Sequence, residues 1–526
     1  METRDIFRNI SPIDHRYSVS ERAVFDALTP WLSEEASIAA CVKAEIALIL
    51  AHLAIRKMEG AAENPRRTAS AAPQSSASAA SSATPPVTSP APELRAVLNK
   101  AGESVAPAEV YAEEEKTRHN IRALVNVLKK KVPAELAPLV HLGATSVDIL
   151  DTSLAYRMKG CCRNVILPAL RRLETLLCDF AEREAETPQV GRTHGQHAVP
   201  VTLGFAMAEY VSRLGKSILE IERLSEGLKG KLAGAVGAYN ATSMIVRDPE
   251  ELERLYLAEL GLEPSEHSTQ LVEPEYLLRL LLEYNTAFGI IANLADDLRN
   301  LQRTEIGELR EGFAADQVGS STMPQKRNPW NSEHVKSLWK AFMPRVTTFF
   351  LDQISEHQRD LSNSASQRFI ADYIAGFCLA VHRIAGVVEG LGADREKCLA
   401  NLRSGGGGIP GGVLAEPAYI LLAGAGVSDA HELIRKITLK AEKENISFSR
   451  AIAGEPELLE RIGGQLLKLV PEETAEETAG EDSPAGSARN SALEFFSRPE
   501  KYRGLAAKKA KELAAKYRKL AGCNGT

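Results

Sequence analysis

The residues Leu203, Met207, Tyr210, Leu214, Ile218, Ile221, Leu224 and Leu228 place a large side chain at every third or fourth position. That spacing puts all eight on one face of a helix of many turns. Leu277, Leu281, Tyr284, Phe288, Ile291, Leu294, Leu298 and Leu301 repeat the pattern, as do Phe369, Tyr373, Phe377, Val381, Ile384, Val388 and Leu391. Alternating strand patterns are scarce. The expected fold is therefore all-α, with long helices forming an elongated bundle whose sites are built at helix ends and on facing helices. Pro344 should kink one helix or set its boundary. Apolar stripes this broad also predict a homo-oligomer with a helical interface.

Outside these runs the composition changes twice. Residues 61–92 are almost entirely Ala, Ser, Pro and Thr, with Val87 the only large aliphatic side chain, and read as a disordered insertion. Residues 472–490 pass from an acidic run into Ser, Ala and Gly and read as a second low-complexity insertion, before a Lys-rich helical tail from Leu505 to Leu520. A chain of 526 residues suits two or three domains. Its 63 Lys and Arg against 69 Asp and Glu, a formal charge of -6, supply no drive toward nucleic acid or an anionic membrane. The seven scattered cysteines lack CxxC spacing, which speaks against a zinc site or a disulfide framework. The amino terminus lacks an apolar h-region, and no later segment offers about 18 uninterrupted apolar residues, so a cytoplasmic protein is expected.

Chemistry concentrates in a few polar segments. Gly319-Ser320-Ser321-Thr322-Met323-Pro324-Gln325-Lys326-Arg327-Asn328-Pro329 packs hydroxyls, cations and an amide between two helical patterns. From the residues alone this is either a polar interhelical turn or a mobile loop carrying anion-binding groups with a nucleophile or base. Gly191-Arg192-Thr193-His194-Gly195-Gln196-His197-Ala198-Val199-Pro200 precedes the helix that starts near Leu203. A lone loop histidine of this kind reads as a surface or capping residue, and a metal reading lacks a partner cluster. His141-Leu142-Gly143-Ala144-Thr145-Ser146-Val147-Asp148 reads, from the residues alone, as an ordinary helix N-cap.

As a full string, the loop from Gly319 resembles the GSSxMPxKxNP motif of the aspartase, fumarase and argininosuccinate lyase superfamily. Within it, the segment around His194 resembles the RTHGQxAxP element of the adenylosuccinate lyases, and Lys116-Thr117-Arg118-His119-Asn120 resembles their T-[RN]-H-D element. The resemblance implies Ser320 as the base that removes a proton beside a carboxylate, His194 as the acid that protonates the leaving nitrogen, and His119 as its support. Asn120 stands where the family has aspartate, which removes a charge. Thr145 and Ser146 inherit the binding of a substrate carboxylate, with Arg118 and Thr193 beside the two histidines as further substrate contacts. Lys326 and Asn328 inherit stabilisation of the carbanionic carboxylate. Glu333, seven residues after Lys326 and thus two helical turns along one face, is expected to orient that lysine.

Ser11-Pro12-Ile13-Asp14-His15-Arg16-Tyr17 resembles the SPxDxRY opening of the same family, and residues 358–368 resemble its RDxS-S-xxxR element. Both imply phosphate binding, by Arg16, Tyr17, Arg359, Ser364 and Arg368. Ser268-Thr269-Gln270 and Gly234-Ala235-Val236-Gly237 add two more family-like elements, with Gln270 a substrate contact. The resemblance implies three helical domains (1–140, 141–410 and 411–526), a homotetramer with active sites shared between chains, and elimination of fumarate from adenylosuccinate and from SAICAR without metal or organic cofactor. The rival readings are another fumarate-releasing lyase, such as one acting on argininosuccinate, a cycloisomerase using the same loop, and a non-catalytic protein that keeps the fold. The arginines speak against the first two, and the joint presence of Ser320, His194, His119, Lys326 and Asn328 against the last.

Overall fold

The computed structural model describes residues 8–63, 92–313, 322–469 and 484–520. Most of the first insertion, residues 472–483 of the second, and Ser320 with its neighbours lie outside these residues. The fold is all-α. The three periodic runs form the helices Leu203–Glu226, Glu275–Leu301 and Ile370–Glu389, each within two residues of the span expected from its apolar face. Pro344 sets a boundary: one helix ends at Phe342 and the next runs Arg345–Leu351. Among the described residues the strands form three two-stranded sheets.

The chain divides into two units, each made of separate segments. The first comprises Met1–Leu170, Ser217–Phe288 and Leu338–Ala380. Its centre is aromatic: Tyr284 stacks on Phe377 with centroids 5.6 Å apart, and Phe349 meets Tyr373 edge-on at 5.3 Å. The helix Glu34–Glu63 packs against Ser146–Cys161 and buries Leu48, Ile49 and Leu50.

The second unit comprises Arg171–Lys216, Gly289–Ser337 and Val381–Thr526. Its carboxy-terminal helices enclose a core in which Phe448 and Phe496 lie edge to face at 5.8 Å with Ile434, Ile452, Leu459 and Ile462 around them. Residues 484–490 correct the low-complexity reading. They open the helix Pro484–Ser497, which packs closely enough on Pro456–Leu469 that a Cβ at Gly463 would strike the Ala488 carbonyl. Ala, Ser and Gly at that contact are small because two helices meet there.

Two helical stretches, Arg22–Glu59 and Ile370–Glu389, are long and apolar enough to cross a membrane, but 83% and 72% of their most apolar windows are buried inside the protein, as in core helices. Cys41, Cys161, Cys162, Cys178, Cys378 and Cys398 are buried and free of disulfides.

Candidate active site

His194 stands at the tip of a hairpin that periodicity did not reveal. Pro188–Thr193 pairs antiparallel with Gln196–Thr202, leaving His194 and Gly195 as a two-residue loop between the paired Thr193 and Gln196. Both loop residues have positive φ, 53° and 74°, the signature of a type I′ turn, whose twist matches that of the strands. Glycine adopts this freely, but for histidine it costs about 1–2 kcal/mol. A strained, exposed imidazole is thus held at the tip. The root is locked by Glu308, which is 0% exposed and accepts both Arg192 Nη2–H (2.6 Å) and Arg192 Nη1–H (3.1 Å). Gln189 Nε2–H (2.7 Å) and Asn401 Nδ2–H (2.9 Å) complete its coordination.

Lys326 and Asn328 belong to the same unit. Lys326 is exposed, in a turn where its N–H meets the Met323 carbonyl at 3.0 Å. The following helix begins only at Trp330, so the seven-residue step to Glu333 is not two turns of one helix. Glu333 sits in the first turn of that helix, exposed. Glu311 fastens the end of the loop by accepting Ser332 Oγ–H (2.5 Å) and Ser332 N–H (3.2 Å). Between them Glu311, Phe313, Pro324, Arg327 and Asn328 line a cavity of about 560 Å³.

In the first unit, His119 is the N-cap of Asn120–Lys129, its Nδ1 accepting Arg122 N–H at 3.2 Å. That bond leaves Nε2 as the free end of the ring. Asn120, in the aspartate's place, accepts Ile121 N–H at 2.8 Å, so the amide retains a backbone contact. Arg118 precedes it in the left-handed region, φ 54°, as the cap of the previous helix. Arg16 and Tyr17 open the short helix Arg16–Ser20.

Thr145 and Ser146 start the helix Ser146–Cys161, where the helix dipole favours an anion. Asp148 organises this end. Its Oδ2 accepts Thr145 N–H at 2.7 Å, while its Oδ1 accepts the Lys231 ammonium and Gly234 N–H (3.3 Å). The Asp148–Lys231 pair is wholly buried, 0% exposed on both sides. Lys231 Nζ also reaches the Gly234 carbonyl at 3.2 Å. Glu253 holds the next stretch, accepting Leu232 N–H (2.5 Å) and Tyr239 O–H (2.6 Å); burial raises its pKa.

The Gly234–Gly237 turn in turn braces the Ser268–Gln270 loop. Gly237, at φ 82°, lies so near that a Cβ would be 1.9 Å from the Ser268 carbonyl oxygen. Gln270 then meets the 358–368 segment twice: its N–H donates to the Gln358 carbonyl (3.2 Å), and its Oε1 accepts Arg359 Nη1–H (3.0 Å). The structure thus joins four elements that are far apart in sequence: Thr145–Ser146, Gly234–Gly237, Gln270 and Arg359. Further along, Ser366 is buried and tied to the Asp352 carboxylate at 2.7 Å, whereas Ser364 and Arg368 are exposed at the two ends of the helix Ser364–Arg368. The buried braces Asp148, Lys231, Glu253 and Glu308 had no assigned role in the sequence. Asp148 and Lys231 lie 83 residues apart and Arg192 and Glu308 lie 116 apart, too far for any local pattern to show.

Solved structures share this fold over nearly the whole chain. A 3-carboxy-cis,cis-muconate lactonizing enzyme from Pseudomonas putida superposes with a TM-score of 0.70, covering 95% of this chain and 98% of that one at 22% identity. A fumarate lyase from Mesorhizobium sp. BNC1 gives 0.69, covering 93% and 97% at 19% identity. The scaffold is that of a lyase of the fumarase/aspartase superfamily. A lyase family model matches residues 60–341, and a model of the adenylosuccinate lyase C-terminal region matches residues 355–474. The adenylosuccinate lyase of Pyrococcus horikoshii is 36% identical over 338 residues, 63% of this chain and 73% of that protein. That of Methanothermobacter thermautotrophicus is 30% identical over 410 residues, 76% and 87%. The chain belongs to the adenylosuccinate lyase family.

Proposed function

We propose that this lyase eliminates fumarate from adenylosuccinate, giving AMP, and from SAICAR, giving AICAR. The observation that carries the reading is the strained His194 on a two-residue turn whose root is fixed by a buried, four-bonded carboxylate. Backbone strain of this kind persists where the surroundings over-determine it, and here it presents an imidazole to solvent. An imidazole, whose ordinary pKa is near neutrality, suits protonation of a leaving nitrogen.

In this mechanism Ser320 abstracts the proton from the carbon beside a carboxylate, and charge flows into that carboxylate. Lys326 and Asn328 stabilise it, and Thr145 and Ser146 hold the substrate's other carboxylate at the helix start. The carbon–nitrogen bond breaks as His194, assisted by His119, delivers a proton to nitrogen. Arg16, Tyr17, Arg359, Ser364 and Arg368 bind the phosphate, with Gln270, Arg118 and Thr193 contacting the rest of the substrate and Glu333 orienting Lys326. No cofactor enters these steps.

We further propose a cytoplasmic homotetramer with shared active sites, three domains per chain (1–140, 141–410 and 411–526) and no nucleic-acid or membrane partner. The exposure of Phe350, Leu351, Ile354, Leu361 and Phe369, between 47% and 74%, supports coverage by another chain around the 358–368 segment. The test is fumarate release by purified protein from adenylosuccinate, SAICAR and, separately, argininosuccinate. Turnover of the two purine substrates alone is expected. Turnover of argininosuccinate alone discards the phosphate roles.

A further inference from the structure

Asp151 lies one helical turn beyond Asp148, half-buried, on the wall of a mainly apolar cavity of about 100 Å³ shared with Leu154, Leu271, Leu278 and Phe349. A carboxylate in such a wall is held at a cost, and burial raises its pKa to about 6 even though Val272 N–H, Lys231 and Arg359 pull it down. Leucine or asparagine would pack there more cheaply. The carboxylate's use lies in what it holds: Oδ2 accepts Val272 N–H at 3.0 Å.

Val272 closes the small loop that carries Gln270. Ser268 and Val272 form a bridge, Thr269 N–H donates to the Leu271 carbonyl at 3.0 Å, and Leu271 N–H donates to Thr269 Oγ1 at 3.2 Å. One side of the loop is pressed by Gly237 and the other is bonded to Gln358 and Arg359. Asp151 supplies the bond at its base. We propose that Asp151 is a positioning residue for substrate binding, fixing Val272 and thereby aiming Gln270 with its partner Arg359. This rests on the reading of Gln270 and Arg359 as substrate contacts. Asp148 and Asp151 then divide the work of one helix start, the first aligning Thr145 with Gly234 and the second aligning Gln270.

The test compares Asp151→Leu, which removes the acceptor, with Asp151→Asn, whose Oδ1 can accept the same N–H. The expected result for Asp151→Leu is a rise of about tenfold in KM for adenylosuccinate, the size of one lost hydrogen bond, with kcat within about threefold. Asp151→Asn should stay within about threefold of the wild type in KM, since it keeps the bond. In a Gln270→Ala background, Asp151→Leu should add nothing further to KM, because both changes act through the same side chain. An unchanged KM in Asp151→Leu, equal impairment of the two Asp151 variants, or fully additive effects would each overturn the proposal.

Hydrogen exchange across 268–274 tests it without turnover: Asp151→Leu should speed exchange at Val272, and Asp151→Asn should not. Equal exchange in wild type and Asp151→Leu refutes the placement. If wild-type protein leaves adenylosuccinate untouched, the substrate reading fails while exchange still decides the role of Asp151. Should Asp151→Leu not fold, Asp151→Ala serves the same comparison.

Discussion

The Gln270 corner of the first unit and the His194 hairpin of the second treat polar side chains in opposite ways. Around Gln270 the decisive groups are buried and cross-braced: the Asp148–Lys231 pair is fully enclosed, and each loop end is bonded to another loop. At the hairpin only the root is buried, through Glu308, and the working end is exposed at the tip. Lys326 is likewise exposed. On the proposed roles, Gln270 and Arg359 are fixed before substrate arrives, which limits the entropy cost of recognition, whereas the proposed acid His194 is held on a short lever. Removing a brace should therefore damage folding or affinity, and removing a tip should damage only chemistry.

The strongest way to break that contrast is at the proposed acid and base. His194→Ala and Ser320→Ala should each lower turnover by at least about a hundredfold while leaving the thermal midpoint nearly unchanged, because general acid–base groups contribute about 10²–10⁴. Steady-state fumarate release beside a melting curve decides it, and near-normal turnover in either variant removes that residue from the mechanism.

Lys231→Met attacks the brace. Breaking a buried pair leaves Asp148 charged and enclosed, at a cost of about 3–5 kcal/mol. Denaturant unfolding should show this loss, and a loss below about 1 kcal/mol would mean the pair is not buried as described. Gly237→Ala should have a smaller effect, about 1–3 kcal/mol from positive φ and the Ser268 contact, with a higher KM because the Gln270 loop must move. Unchanged stability and KM would show that the loop yields freely.

An effect of the opposite sign sharpens the comparison from the other side. Glu174 is fully buried, and neither of its carboxyl oxygens has a hydrogen-bond partner among the described residues. Burial raises its pKa to about 9. The folded protein therefore keeps the proton at neutral pH, while the unfolded chain releases it above about 4.3. Stability from this group is fully present below that value and is lost as pH rises toward 9. Glu174→Met should stabilise the protein by about 1–3 kcal/mol, and by more at pH 8.5 than at pH 5.5, as urea unfolding would show. A pH-independent difference would mean that Glu174 finds a partner.

The long helices were legible because each buries one continuous stripe, and a stripe leaves a period. The hairpin 188–202 was not, since its strands are short and its turn is written in His-Gly rather than the usual Asn-Gly. The helix Pro484–Ser497 was hidden by a composition that looks like a linker and is in fact the small-residue side of a tight helix contact. The motif residues were legible through resemblance, but the groups that hold them were not. Lys231 lies 83 residues from Asp148, and Glu308 lies 116 from Arg192. No local window contains both members of either pair.

The interleaving of the two units has a consequence for how the protein is made. Three separated segments complete the first unit, the last ending at Ala380, and the second unit also closes only with the carboxy-terminal segment. At about 5–20 residues per second, translation takes roughly 20–80 s to reach Ala380. Until then the nascent chain exposes the apolar stripes of helices whose partners have not yet left the ribosome. Neither unit can be produced by simple truncation, so premature termination anywhere before the last segment yields a species for chaperones and proteases rather than a working fragment.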